Sequence, residues 1–319
     1  MATRLILDCD TGTDDAVAIM AAVGHRALQL VAVTTVNGNA PLANTTDNTL
    51  RVLDHLGASV PVYPGAGRPL IRPDFPVPRE VLNADNPEFQ VMELELPAAV
   101  TVPQTTTAVS FLIETYLSET ARDIVLVATG PLTNLAAALA AEPRLAERIP
   151  RLVIMGGAVA GGNVTASAEF NFWVDPEAAE AVLSSGIRDV TIVPLDATQS
   201  APITLADCDT FDTIGTPAAL AASSLVRHRI RTELAGAGNT PPHSTPVHDA
   251  LCVAYLVDPD VITSTTHRPV HVETGAGRTL GELVLDDRPW APERPNAVVA
   301  LRADAGRFSV VLAEAFAAG

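Results

Sequence analysis

The sequence predicts an α/β fold: a mostly parallel central sheet with flanking helices on both faces. Apolar, β-branched runs recur at 29–35, 123–128, 151–155 and 189–193. Helix-like stretches separate them, at 13–23, about 42–56, 104–120, 132–141 and 176–185. Strands alternating with helices build parallel sheets, because each crossover helix returns the chain to the same edge. The last third changes character. Extra short strands are expected near the C-terminus, at 268–273, 281–285 and 297–302, before a final helix over about 304–317.

Hydrophobic residues make up 48% of 319, enough for a large core. No Gly/Ser linker or charge run divides the chain, so residues 1–319 are read as one domain. Two segments read as long loops. Residues 61–103 carry nine prolines, and 235–248 is rich in Gly, Pro and Thr. Long loops in α/β domains often serve as lids or binding loops. Gly65-Ala66-Gly67 and Gly275-Ala276-Gly277 are weak phosphate signals, since neither opens a βαβ unit.

The net charge of −17 disfavours nucleic-acid polymers and anionic membranes as partners. A neutral, nucleoside-sized ligand remains compatible with it. No apolar run is long enough to span a membrane, and the chain opens directly into a strand, so a cytoplasmic location is expected. All 20 basic residues are Arg, which removes Schiff-base and P-loop lysine chemistry. Cys9, Cys208 and Cys252 are odd in number and widely spaced, as buried free thiols are.

The first strand, Leu5-Ile6-Leu7, runs into DCDTGTDDAVAIM, which places Asp8, Asp10, Asp14 and Asp15 within eight residues. Thr13 can cap the following helix, and Asp14 and Asp15 suit its first turn, where the dipole favours negative charge. Capping leaves Asp8 and Asp10 unexplained. They lie at the carboxyl end of the strand, where open α/β sheets bind ligands. Crowded carboxylates raise one another's pKa or recruit a hard cation such as Ca²⁺ or Mg²⁺.

Four further stretches converge on the same rim. TTVNGN places Asn37 and Asn39 just past the second strand. VATGPLTN places Thr129 at another strand end. MGGAVAGGNVTASAEFNFWVDPEAA carries Met155, Asn163, Glu169 and Asn171, and PVHDALCVAYLVDP opens a helix on His248 and Asp249. Each residue alone has an ordinary explanation, such as a turn, a helix start or a hydrogen-bonded core histidine. Their shared edge is what points to a site.

In combination, DCDTGTDDAVAI, TTVNGNAPLANTTDN, VATGPLTNLAAAL, VIMGGAV…GNVTASAEFNFWVDPEAA and PVHDALCVAYLVDP resemble the inosine–uridine nucleoside hydrolase family. The resemblance implies a Rossmann-like core and Ca²⁺-dependent hydrolysis of the N-ribosidic bond of ribonucleosides. By matching position, Asp10, Asp15 and Asp249 would bind Ca²⁺ through carboxylates and Thr129 through its carbonyl. Asp10 would be the general base for a metal-bound water. Asp14, Asn39, Met155, Asn163, Glu169, Asn171 and Asp249 would surround the ribose. His248 would lie toward the leaving base and protonate it. A homodimer or homotetramer is the implied assembly.

The resemblance weakens on the base side. Where many family members carry a His-Gly pair, this chain has EVLNADNPEF, with Leu82 and Asn83 near that place. Fewer fixed donors there predict permissive base choice, or a shift to a substrate outside the common nucleosides. His228, Arg227, Arg231 and His243 could reach a base, but mobile loop charges are more often solvated. Two competing readings remain. Asp8 and Asp10 also fit a haloacid-dehalogenase-like phosphatase, although Gly12 and the absent lysine depart from that pattern. The altered loop also fits a catalytically silent ribose- or nucleoside-binding protein.

Overall fold

β1 (Thr3–Cys9) is buried over its last five residues, and its side chains alternate between two cores. Leu5, Leu7 and Cys9 pack into one cluster with Ile19, Met20, Phe308 and Phe316, while Ile6 packs into the other with Leu126, Ile154 and Ile192. That alternation covers both faces of the sheet, as the near-continuous apolar strands require. Each such fully buried aliphatic side chain contributes about 1.5–3 kcal/mol.

The computed structural model describes residues 2–72, 91–233, 243–290 and 292–318. The remaining strands are β2 (Leu28–Thr35), β3 (Val62–Pro64), β4 (Ile124–Ala128), β5 (Leu152–Met155), β6 (Val190–Val193), β7 (Ile203–Thr204), β8 (Ser244–Thr245), β9 (Ile262–Arg268), β10 (Val270–Val272), β11 (Leu283–Leu285) and β12 (Ala297–Ala303). Among the described residues the helices are α1 (Thr13–Gly24), α2 (Leu42–His55), α3 (Ala108–Leu117), α4 (Thr133–Ala141), α5 (Leu145–Arg148), α6 (Phe170–Val174), α7 (Pro176–Leu183), α8 (Leu195–Gln199), α9 (Leu205–Ile214), α10 (Pro217–Glu233), α11 (His248–Val257) and α12 (Ala305–Ala317).

Eight strands form the main sheet in the order β3-β2-β1-β4-β5-β6-β12-β9. Every neighbouring pair is parallel except β12 with β9. The strand order reverses between β1 and β4. At such a switch point the loops leave in opposite directions and open a crevice at the carboxyl ends. Asp10 follows β1 there, and Thr129 follows β4.

The predicted strands and helices are present with ends shifted by a few residues. The helix expected from 104 begins at Ala108, because Thr107 caps it by accepting from Ser110 N (3.3 Å). The Pro-rich segment contributes β3, and Ser244–Thr245 pairs with Ile203–Thr204. β9, α9 and α10 were not legible in the sequence. β9 reads ITSTTHR, a largely polar edge strand with alternating exposure, so it lacks the apolar signature of a buried strand. No described helix is long and apolar enough to cross a membrane.

Candidate active site

Asp8 is fully buried. Its Oδ1 accepts from Thr34 Oγ1 (2.5 Å) and Asn134 Nδ2 (2.8 Å). Burial pushes its carboxyl up to about 6, against the pull of those two donors. A carboxylate gripped in this way is a tie between β1, β2 and α4. Its Oδ2 is buried with no hydrogen-bond partner among the described residues, and the tie through Oδ1 gives Asp8 a structural role that the phosphatase reading does not call for. The Asp8 carbonyl also accepts from Thr129 N (2.8 Å), so β1 holds the Thr129 turn directly.

Asp10 lies two residues on, also fully buried. Its Oδ2 accepts from Asn39 N (2.5 Å), while its Oδ1 finds no hydrogen-bond partner among the described residues. Glycines make room for it. A Cβ on Gly38 would overlap its carboxylate, and one on Gly130 would lie 2.9 Å from Oδ1. Burial raises the Asp10 pKa well above the carboxylate range, and the charge of Asp15 raises it further.

The start of α1 corrects one expectation. Thr13 is the first helical residue rather than the cap, and its hydroxyl is buried with no partner among the described residues. Asp15 does the capping instead: its Oδ2 accepts from Gly12 N (3.0 Å). The same oxygen takes Asn39 Nδ2 (3.3 Å), and Oδ1 takes Thr129 Oγ1 (2.9 Å). Asp15 is pushed up to about 7, first by burial and then by Asp14.

Asp249 arrives from the first turn of α11. One carboxylate oxygen each from Asp14, Asp15 and Asp249 fall within 4.8 Å of one another, a spacing that can hold a metal ion. Burial, then the charges of Asp14, Asp15 and Asp10, raise the Asp249 pKa well above normal. Asp10 is outside the trio of converging oxygens, although its charge couples to it.

The loop after β5 supplies the amide and acid. Glu169 caps α6: Oε1 accepts from Asn171 N (2.9 Å), and Oε2 from Gly157 N (2.9 Å) and Phe172 N (3.3 Å). Burial still lifts it to about 7 against those donors. Asn171 Nδ2 donates to the carbonyls of Thr129 (2.8 Å) and Met155 (3.2 Å). The Thr129 carbonyl is therefore already engaged by an amide. Asn163 is exposed, its Oδ1 accepting from Phe170 N (3.1 Å), and stands apart from the buried groups.

His248 opens α11, with Nδ1 2.7 Å from Thr198 Oγ1. Burial pushes it down to about 4, Asp14 pulls against that, and Arg229 adds to it. Among the base-side candidates, Arg227 is bound to Asp209 (2.5 Å) and Asp212 (3.0 Å) on the surface, and His228 lines a small cavity with Thr13, Ser224 and Leu225. The stretch with Leu82 and Asn83 lies outside the described residues. Asn134, Thr34 and Thr198 were missed in the sequence. Only the threonine–asparagine pair closing VATGPLTN hinted at a buried tie there.

The sequence profile of the inosine-uridine preferring nucleoside hydrolases matches residues 5–310. The chain belongs to this family. As a nucleoside hydrolase it cleaves the N-glycosyl bond of ribonucleosides. It is 39% identical over 320 residues to a protein of Salmonella gallinarum named pyrimidine-specific ribonucleoside hydrolase RihA, with 98% of each chain covered. A protein of Escherichia coli O7:K1 with the same name is 38% identical, again with 98% of each covered. The solved structure of a purine-preferring ribonucleoside hydrolase from Gardnerella vaginalis superposes with a TM-score of 0.86, at 30% identity and 98% coverage of both chains.

Proposed function

We propose that this hydrolase is Ca²⁺-dependent and that its specificity is set by ribose. The supporting observation is the trio of converging carboxylates at the switch point, beside the unpartnered buried Oδ1 of Asp10. An all-oxygen donor set suits a hard cation, and neutralising these acids is what their burial calls for. Asp10, Asp15, Asp249 and the Thr129 carbonyl would hold the ion. When bound, Ca²⁺ supplies the charge that orients water and makes it more acidic.

The chain's own residues do the rest. Asp10 takes the proton from the attacking water through its free oxygen. Asp14, Asn39, Met155, Asn163, Glu169, Asn171 and Asp249 surround the ribose and fix its hydroxyls. As the bond to the base nitrogen breaks, positive charge grows at the anomeric carbon, and the neighbouring carboxylates stabilise it. His248 faces the departing base and donates to it. The relatives' names share the ribonucleoside and differ in the base, pyrimidine-specific in one and purine-preferring in another, so the sugar is the shared element. Permissive base choice rests on the altered base-side sequence, and a base preference like that of the 39% identical relative is the outcome that would overturn it. A homodimer or homotetramer in the cytoplasm completes the reading, and sedimentation velocity reads the assembly.

Free ribose is the decisive measurement. A panel of purine and pyrimidine ribosides should release it, lose that activity with a calcium chelator, and regain it with Ca²⁺ better than with Mg²⁺. A protein that binds ribosides tightly without releasing ribose would be the silent binding protein instead.

A further inference from the structure

The β10–β11 ribbon is separate from the main sheet, yet it and the turn before β11 meet the ribose-side loop and α6 at three points, two through backbone and one through the Leu283 side chain. Ala168, just before Glu169, forms an antiparallel bridge with Glu282. Gly281 has φ +80°, and a Cβ there would lie 2.7 Å from Trp173 Cα and 3.0 Å from Trp173 N. Gly157, whose N–H Glu169 accepts, has φ +75°, and a Cβ there would lie 2.9 Å from Leu283 Cδ2 and 3.1 Å from its Cβ. Both glycines adopt a backbone that other residues rarely reach, and both use the missing side chain for close approach.

The ribbon is rooted at its other side. Glu180 of α7 accepts from Val272 N (2.7 Å) and meets His271 Nδ1 (3.2 Å). Asn296 accepts from Val270 N (2.8 Å) and donates to the carbonyls of Val270 (3.0 Å) and Leu183 (3.1 Å). Force on the ribbon is therefore resisted by α7 and carried into the loop between Gly157 and Trp173.

We propose that the β10–β11 ribbon, seated through Gly281, is a positioning element for Glu169 and Asn171. The inference rests on the functional reading above, in which those two side chains meet the ribose. Glu169 spans Gly157, Asn171 and Phe172, so a shift of either glycine contact turns its carboxylate. Asn171 then loses its register on the Thr129 and Met155 carbonyls. Asp15 and Asp249 sit on α1 and α11, away from the ribbon's three contacts, and keep their places.

Gly281→Ala separates these effects. Displacing the loop by the fraction of an ångström that a methyl needs should lower kcat/KM for ribonucleosides by up to about 10²-fold, with KM rising. Calcium affinity by calorimetry should fall several times less than kcat/KM, because the ribbon reaches the proposed ion only through the Asn171 bond to the Thr129 carbonyl, while the three carboxylates lie on α1 and α11 and in the turn after β1. Leu283→Val, a milder change at the ribbon's other contact, with Gly157, should show the same KM rise at smaller size if Gly281→Ala fails to fold. Val284→Ala, exposed on the same strand, should leave kinetics unchanged. Unchanged KM in Gly281→Ala and Leu283→Val beside an active wild type would overturn the positioning role alone, as would an equal loss of calcium affinity. A wild type that releases no ribose would overturn the functional reading, and the positioning role with it.

Discussion

The sugar side and the base side of the site are built differently. On the side we assign to the sugar, three groups are held by several bonds each, while Asp10 Oδ1 is left without a partner among the described residues. Glu169 takes three backbone N–H groups, Asn171 bridges two carbonyls, and Asp15 is held by Gly12, Asn39 and Thr129. On the base side His248 has one hydrogen-bond contact among the described residues, Thr198, and Arg227 is committed to surface acids. Groups held by several bonds cannot adapt cheaply, because each lost partner in a buried place costs about 1–3 kcal/mol. Under the proposed reading, the contrast predicts steep discrimination at the sugar and weaker discrimination at the base.

The largest expected effect tests that contrast most directly. A 2′-deoxyribonucleoside should react about 10⁴-fold more slowly than the ribonucleoside, because buried groups built for the hydroxyl are left unpaired. Varying the base at constant ribose should change kcat/KM far less. Near-equal turnover of the deoxy substrate, or a base preference as steep as the sugar preference, would break the comparison.

Within the sugar side, Asp10→Asn should lower kcat by about 10³-fold, since an amide cannot take a proton from water. The folded structure should survive, because the amide oxygen can still accept from Asn39 N. Near-wild-type hydrolysis by this variant would remove the general-base assignment and leave Asp10 as a purely electrostatic or metal-holding group.

Across the site, His248→Ala should lower turnover of ordinary nucleosides by about 10²-fold, the lower end of what a positioned proton donor supplies. On p-nitrophenyl riboside, whose leaving group needs little protonation, the loss should be several times smaller. Equal fractional losses on the two substrates would make His248 a positioning residue rather than a donor.

The sheet was legible because buried parallel strands read as apolar runs, and the run of β1 is unbroken from Leu5 to Leu7. The acid cluster was legible because carboxylates rarely crowd at a strand end without cause. Glycine and threonine were the harder part. Gly38 and Gly130 drew no reading of their own in the sequence, yet they clear space around the Asp10 carboxylate. Thr13 looked like a cap because its residue type favours that role, but the Asp15 carboxylate took the Gly12 N–H first. Asp8 had no visible partner in sequence, since Thr34 and Asn134 come from 26 and 126 residues away. Long-range side-chain bonds leave no periodic trace.

The smallest effect sharpens the base side. Thr198 has a single hydroxyl proton and two acceptors within reach, the Leu195 carbonyl at 3.2 Å and His248 Nδ1 at 2.7 Å. If the proton goes to Nδ1, the neutral imidazole carries its own N–H on Nε2, which is the atom that can face the leaving base. If it goes to the carbonyl, Nδ1–H donates to Thr198 instead and Nε2 is left as an acceptor. A hydrogen bond from the neutral ring to the leaving base requires the first arrangement, whereas full proton transfer needs the imidazolium, with N–H on both nitrogens, which burial disfavours. Thr198→Val keeps the shape and removes the hydroxyl, so it should lower kcat by about fivefold, the worth of one ordinary hydrogen bond near 1 kcal/mol. Nitrogen-15 chemical shifts of the His248 ring should show the pyrrole-type nitrogen at Nε2 in the wild type and a mixture of tautomers in Thr198→Val. A wild-type ring protonated on Nδ1 would reverse the polarity of the base side, and would assign the N–H that meets the leaving group to another residue.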